Sequence, residues 1–215
     1  MLKIKVKASQ ITNLTDARYF AAKEVEWLSF NFQEGTDNHI DPMSARTMFE
    51  WVQGPRIVGE FDNLTTAEIN FYTEGYQLQH IQVGTHTKAA DVFNLKAATV
   101  IKEIVVESAM TLDILRVMMR PFSMTVEAFQ LNFEKSGLDF LSLKKADSFL
   151  TFEDLKTLCG EFNIILAIDF QANSLNELLD LSLYGLNLRG GEEEKVGIKS
   201  FDELDRIFDA LELDE

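Results

Sequence analysis

The segment 27–61, WLSFNFQEGTDNHIDPMSARTMFEWVQGPRIVGEF, contains one complete copy of the pattern that the rest of the chain repeats. It begins and ends with short runs of apolar and aromatic residues, Trp27–Phe32 and Arg56–Phe61, each of the length of a buried strand. Between them, Asp41 precedes Pro42, which places a capping residue before a proline at the first helical position. The residues that follow form a single apolar helical stripe, Ala45, Met48, Phe49 and Val52. The segment therefore predicts a strand–helix–strand unit.

The same alternation extends over the whole chain. Further strand-like runs occur at Lys3–Ala8, Leu78–Val83, Thr99–Val106, Ile164–Phe170 and Tyr184–Leu188. Capping patterns precede helical segments at Asn13–Asp16, Thr65–Glu68, Ser174–Glu177 and Ser200–Glu203. An eighth strand is expected between Met124 and Lys145, either at Ala128–Phe133 or at Phe140–Lys144. Strands that alternate with helices form a parallel sheet.

Eight such units favour a closed barrel over an open, doubly wound sheet. No G-x-G-x-x-G or G-x-x-x-x-G-K-[ST] motif follows any strand-like run, which argues against the usual nucleotide-binding sheets. Eight units fit into 215 residues if the loops are short. The chain has three prolines and no low-complexity linker. We therefore predict the α/β class, with one (β/α)8 TIM barrel of parallel strands in a single domain, 1–215.

The charge balance excludes several classes of partner. Twenty Lys and Arg against 35 Asp and Glu give a net charge of −15, and ten of the acids lie in the last 24 residues. Nucleic acids and anionic membranes require a basic face, so neither is expected as a partner. The protein is expected to be a monomer or a homodimer, without a cofactor or a metal site.

The single cysteine, Cys159, rules out an internal disulfide and a multi-cysteine zinc site. It shares an apolar helical face with Leu155, Leu158 and Phe162, which predicts a buried packing thiol. No segment has the pattern of a signal peptide or the length of a membrane span. A cytoplasmic location is expected.

Short motifs at the predicted strand ends are together similar to those of one family. The first strand and helix contain Lys7-Ala8-Ser9-Gln10-Ile11-Thr12 and Asp16-Ala17, similar to K-x-C-G-I-T and a later D-A pair. The other matches are Ser29–Phe32 with G-F-N-F, Val58–Phe61 with V-G-V-F, Ile81–Thr85 with V-Q-L-H-G, Ile101–Glu103 with I-K-A, and Gly197–Lys199 with G-x-K. The series resembles the phosphoribosylanthranilate isomerase family of tryptophan biosynthesis over essentially the whole chain except Met124–Lys145.

The resemblance implies an Amadori rearrangement, in which a general acid and a general base convert a phosphoribosyl amine into a ketose. The family's base is a cysteine at the end of the first strand, and Ser9 occupies that position. Its acid is an aspartate in the sixth strand. The matching residue is Asn132 if that strand is Ala128–Phe133, or Lys144 if it is Phe140–Lys144. None of these side chains supplies the family's acid or base.

The resemblance also locates the substrate-binding positions. Asn38 stands where the family has an arginine that faces the substrate carboxylate, and Gln82 matches the glutamine of the fourth strand. Asp169 replaces a glycine of the phosphate loop, where a carboxylate would repel phosphate. Arg189-Gly190-Gly191 keep the guanidinium and glycines of an anion site, so a small anionic ligand is expected at the carboxyl end of the barrel.

Three hypotheses follow. The first is a divergent member of the family with weak or no isomerase activity that binds a small anion or a partner. The second is a working isomerase that uses substituted acid and base groups. The third is a barrel enzyme with a different reaction. His39, His80 and His86 are expected to be ordinary surface or loop residues, and Glu192–Glu194 a solvated loop.

Overall fold

Eight parallel strands close into a barrel in a computed structural model that describes residues 1–36, 38–145, 148–190, 193–195 and 198–213. The strands pair in the order of the sequence, and β1 is hydrogen-bonded to both β2 and β8. They are β1 (Lys5–Ser9), β2 (Trp27–Asn31), β3 (Arg56–Phe61), β4 (His80–Val83), β5 (Thr99–Val105), β6 (Ala128–Asn132), β7 (Ile164–Ala167) and β8 (Gly185–Arg189). The predicted (β/α)8 barrel is confirmed.

Helices follow the strands and surround the barrel. They are α1 (Leu14–Ala22), α2 (Pro42–Trp51), α3 (Thr66–Gly75), α4 (Ala89–Val92), α5 (Leu112–Met119), α6 (Phe140–Leu143), α7 (Phe152–Glu161), α8 (Leu175–Leu179) and α9 (Asp202–Leu211). Short 3-10 turns occupy Arg120–Phe122, Glu134–Ser136 and Ala172–Ser174. Two short antiparallel strands, β9 (Glu193–Lys195) and β10 (Ile198–Lys199), precede α9, so part of the predicted acidic loop is a strand. No helix in the described part of the chain has the length and apolar content needed to cross a bilayer.

The sixth strand is Ala128–Asn132, which resolves the alternative left open by the sequence. The competing assignment, Phe140–Lys144, is wrong because Asp139 starts a helix there. The Asp139 side chain accepts a hydrogen bond from the Ser142 backbone N–H at 2.8 Å, as an N-cap does. Of the two residues that the resemblance offers for the acid position, Asn132 is therefore the one that lies on the sixth strand.

Three of the five predicted helix caps form. The side chains of Asn13, Asp41 and Thr65 each accept a hydrogen bond from the backbone three residues on. Ser174 makes no cap bond, because it continues a 3-10 turn with helical backbone angles. The prediction at Ser200 is wrong as well, since α9 begins one residue later, with Phe201 at its N-cap position.

The core has two parts. The larger lies between the strands and the helices and includes Phe20, Phe30 and Leu158. Cys159 is partly buried against it, and burial raises the pKa of its thiol to about 12, so the thiol stays protonated. A small separate cluster fills the barrel near the amino ends of the strands and consists of Trp27, Val58, Ile101, Ala128 and Ile165. Beyond this plug, the interior becomes polar.

Candidate functional site

The carboxyl half of the barrel interior is filled by polar side chains, where bulky branched residues are usual. Lys7, Gln82, Glu103 and Gln130 come from four different strands and are each at most 5% exposed. Together with Glu60 of β3 they form what we call the polar layer. A cavity of about 260 Å³ opens above it, lined by side chains from the loops and upper strand ends. We refer to it as the mouth cavity.

Lys7 anchors one side of the polar layer. Its ammonium is fully buried and donates to Glu60 Oε1 at 2.5 Å and to Asn187 Oδ1 at 3.4 Å. The Asn187 amide in turn donates to Ser9 Oγ at 3.0 Å, and Ser9 Oγ lies 3.5 Å from the Leu188 carbonyl oxygen. Ser9 is therefore a hydrogen-bonding member of the barrel wall, and the described residues around it supply no histidine or other base to activate it.

Glu103 organises the opposite side. Its carboxylate accepts hydrogen bonds from Gln130 Nε2 at 3.2 Å, from Asn132 Nδ2 at 2.8 Å and from Lys135 Nζ at 2.6 Å. The other amide atom of Asn132, Oδ1, accepts from the Lys135 backbone N–H at 3.0 Å. Both ends of the Asn132 side chain are thus engaged, and an amide has no proton to give in acid catalysis.

The Arg189 guanidinium is paired with two carboxylates. Its guanidinium forms an ion pair with Asp169 and another with Glu134, the latter at 3.1 Å. Burial raises the pKa of Glu134 to about 7, and Arg189 opposes that shift. The guanidinium expected to receive an anion therefore already has two negative partners.

Gly190 has a packing role. A Cβ at this position would come within 2.8 Å of Asp16 Oδ2 on α1, so a larger residue here would require the Asp16 carboxylate to move. Gly191 and Glu192 lie outside the described residues.

The fold brings most of the predicted site residues together. Ser9, Asn38, Gln82, Asn132 and Arg189 all line the mouth cavity. Asp169 lies instead on an adjoining open groove of about 690 Å³, which we call the side groove. Arg189 and Glu134 line both spaces and separate them. The position of His80 at the amino end of β4 places it at the opposite end of the barrel.

The sequence analysis did not single out six charged residues of the site: Lys7, Glu60, Asp62, Glu103, Glu134 and Lys135. A signal was present, because polar residues recur at every second position of otherwise apolar strands, as in Lys7–Ser9 and Gln130–Asn132. A period of two separates the faces of a strand but does not say which face points into a barrel. Lys135 lines the mouth cavity as a second cation beside Arg189.

The chain matches no protein-family model, and no curated protein matches it in sequence. Solved structures do match it. The phosphoribosylanthranilate isomerase from Thermus thermophilus is 25% identical with a TM-score of 0.76, and the match covers 97% of this chain and 98% of that one. This chain shares its fold with the phosphoribosylanthranilate isomerases. The enzyme of the same name from Thermotoga maritima is 19% identical, with a TM-score of 0.76 and coverage of 95% and 96%.

Another solved phosphoribosylanthranilate isomerase is in complex with reduced 1-(o-carboxyphenylamino)-1-deoxyribulose 5-phosphate. It is 17% identical to this chain, with a TM-score of 0.73 and coverage of 95% and 96%. At that identity the likeness shows the fold alone. The (β/α)8 barrel expected from the sequence is thus shared with these enzymes over nearly the whole chain.

Proposed function

We propose that this phosphoribosylanthranilate isomerase-like barrel has weak or no isomerase activity and uses its mouth cavity to bind a small molecule. The observation that carries the proposal is the state of Ser9 and Asn132. These residues stand at the family's base and acid positions, and both are fixed in hydrogen bonds to wall residues, Asn187 and Glu103. Losing either group of an acid–base pair commonly costs 10²–10⁴-fold in rate.

Charge at the side groove supports the same conclusion. The groove lies at the loops after β7 and β8, where the resemblance implies a phosphate site. Its lining contains four carboxylates, Glu134, Asp169, Asp202 and Glu203, but only two guanidinium groups, those of Arg189 and Arg206, among the described residues. Phosphate would meet a net negative field there. The small anion expected at Arg189–Gly191 stays a prediction, and this field disfavours it.

A second candidate is a working isomerase of tryptophan biosynthesis with substituted groups. One observation favours it. Glu134 follows β6 directly, two residues after the family's acid position, and lines the mouth cavity with a pKa of about 7. A carboxyl with that pKa is suited to give and take a proton near neutral pH.

The experiment is a fluorescence assay of phosphoribosylanthranilate consumption, together with complementation of a tryptophan auxotroph that lacks the isomerase. We expect no growth and turnover at least 10⁴-fold below that of a family enzyme assayed in parallel, because both catalytic groups are replaced. Ordinary turnover would refute the proposal. If turnover is measurable, Glu134→Gln should abolish it under the second candidate, whereas the exposed control Glu153→Gln on α7 should not.

A further inference from the structure

Two buried amide oxygens without a partner among the described residues belong to side chains that line the mouth cavity. Gln82 and Gln130 are 5% and 2% exposed, and both line the cavity. The Oε1 atom of each has no hydrogen-bond partner among the described residues. Buried polar atoms are nearly always satisfied, and an unpaired acceptor that cannot reach bulk water destabilises the fold. The two oxygens therefore indicate a molecule that donates hydrogen bonds at this place.

The charged groups of the cavity also favour a donor. Four carboxylates line it, those of Glu60, Asp62, Glu103 and Glu134, and an ionised carboxylate only accepts hydrogen bonds. The three cations that contact these carboxylates are already paired: Lys7 with Glu60, Lys135 with Glu103 and Asp62, and Arg189 with Glu134 and Asp169. The cavity therefore presents an excess of acceptors and of negative charge.

We propose that the mouth cavity binds a small, hydroxylated primary amine in its protonated form. An ammonium group carries three donors and no acceptor, which matches the carboxylates and the two amide oxygens. Hydroxyl groups on the same molecule can donate to the remaining carboxylate oxygens as well as accept hydrogen bonds. A volume of about 260 Å³ is below the 300–1,000 Å³ typical of sites for drug-sized ligands, so the ligand is small. The inference rests on the proposed function, because it assigns the family's substrate cavity to another ligand.

A charge series on one carbon chain tests the ligand class. We would titrate the protein calorimetrically at pH 8 and low salt with D-glucamine, sorbitol and gluconate, which share a six-carbon polyol skeleton and carry an ammonium, no charge and a carboxylate. We expect glucamine to bind at least tenfold more tightly than sorbitol, and gluconate to bind most weakly. Equal affinities, a preference for gluconate, or binding of none of the three would overturn the proposal.

A pair of matched variants tests the place of binding. Gln82→Met keeps the length of the side chain and removes the unpaired oxygen, while Gln79→Met makes the same change at an exposed position just before β4. We expect Gln82→Met to raise the melting temperature of the free protein and to weaken glucamine binding at least tenfold, with no change for Gln79→Met. Unchanged affinity in Gln82→Met would refute the assignment.

The isomerase assay distinguishes a failure of the proposed function from a failure of the amine proposal. Ordinary isomerase turnover refutes the proposed function whatever binds. If the protein is inactive and binds none of the three compounds, only the amine proposal is refuted. A Gln82→Met variant that is destabilised in such a protein would show that an ordered water satisfies the amide oxygen.

Discussion

At the scale of single residues, the mouth is governed by which carboxylates are paired and how deeply each is buried. Glu134 has a side chain that is 11% exposed and faces Arg189, with Asp169 on the other side of the guanidinium. Burial raises the pKa of the Glu134 carboxyl more than the attraction of Arg189 lowers it. The carboxyl therefore stays protonated to a higher pH than an ordinary glutamate does. Neither this pKa nor the pairing could be predicted from the sequence, because Glu134 and Arg189 are 55 positions apart and meet only when the barrel closes.

Glu134→Gln should flatten the pH dependence of stability. A carboxyl with a folded-state pKa of about 7 and an ordinary value of 4.5 keeps a proton in the folded protein that the unfolded chain has lost. The folded state then binds more protons between these values, so the stability contributed by this group is present below pH 4.5 and is lost as the pH rises through 7. Urea unfolding of both proteins from pH 5 to 8 should show the wild type losing about 3 kcal/mol relative to the variant. If the stabilities of the two proteins change with pH in parallel, the raised pKa of Glu134 is contradicted.

Asn132→Asp, which restores the family's acid, should destabilise this protein. The Asn132 amide donates to the buried Glu103 carboxylate at 2.8 Å, and an ionised aspartate would replace that bond with repulsion. We expect a loss of about 2 kcal/mol in the free energy of unfolding at pH 8, measured in urea. The same change at the exposed Asn176 on α8 should be nearly neutral. Equal effects at the two positions would show that Glu103 does not depend on the amide.

At the scale of elements, local chemistry predicts where most strands and helices lie. Apolar runs identified seven of the eight strands to within a few residues, because burial on both faces leaves a local signal, and they left the sixth strand between two alternatives. Helix starts were predicted where a side chain can reach the backbone three residues on, as at Thr65. They failed at Ser174 and Ser200, since the S-x-x-E spacing does not reveal the backbone angles at the first residue.

Thr65 and Ser174 should therefore respond differently to substitution by alanine. Thr65 forms a full capping box with Glu68 at the start of α3, while the Ser174 hydroxyl makes no cap bond at α8. Thr65→Ala should cost about 1 kcal/mol in unfolding free energy. Ser174→Ala should cost only a few tenths of a kcal/mol, within the range of surface substitutions. The urea midpoints of the two variants measure these losses. A larger loss of stability in Ser174→Ala than in Thr65→Ala would contradict the assignment of the cap to Thr65 alone.

At the scale of the whole molecule, the barrel is tied across its interior by contacts that the sequence does not reveal. The order of the strands followed from their alternation with helices, but the polar layer depends on which strand faces which after closure. Lys7 on β1 reaches Glu60 on β3 and Asn187 on β8, residues 53 and 180 positions away. The site was thus predictable only where family motifs pointed to it, as at Ser9 and Arg189.

Lys7→Met should test this cross-barrel contact. Removing a fully buried ammonium leaves Glu60 without its close cation, and breaking a buried ion pair typically costs about 3–5 kcal/mol. The exposed control Lys3→Met should change the free energy of unfolding by less than about 0.5 kcal/mol. Adding Glu60→Gln to Lys7→Met should recover part of the loss, because no unpaired carboxylate then remains. A double variant less stable than Lys7→Met would argue against the pair.

The guanidinium of Arg189 has a consequence for the kinetics of entry into the barrel. It joins the segment after β6, through Glu134, to the segment after β7, through Asp169, and it sits itself at the end of β8. Three of the eight segments at the carboxyl ends of the barrel strands are therefore linked through one guanidinium group. Each neighbouring segment is held to the end of β8 by one of the two ion pairs, so the opening of either segment breaks one pair. Salt screens both pairs, so an uncharged molecule that enters on this side should associate faster as the ionic strength rises.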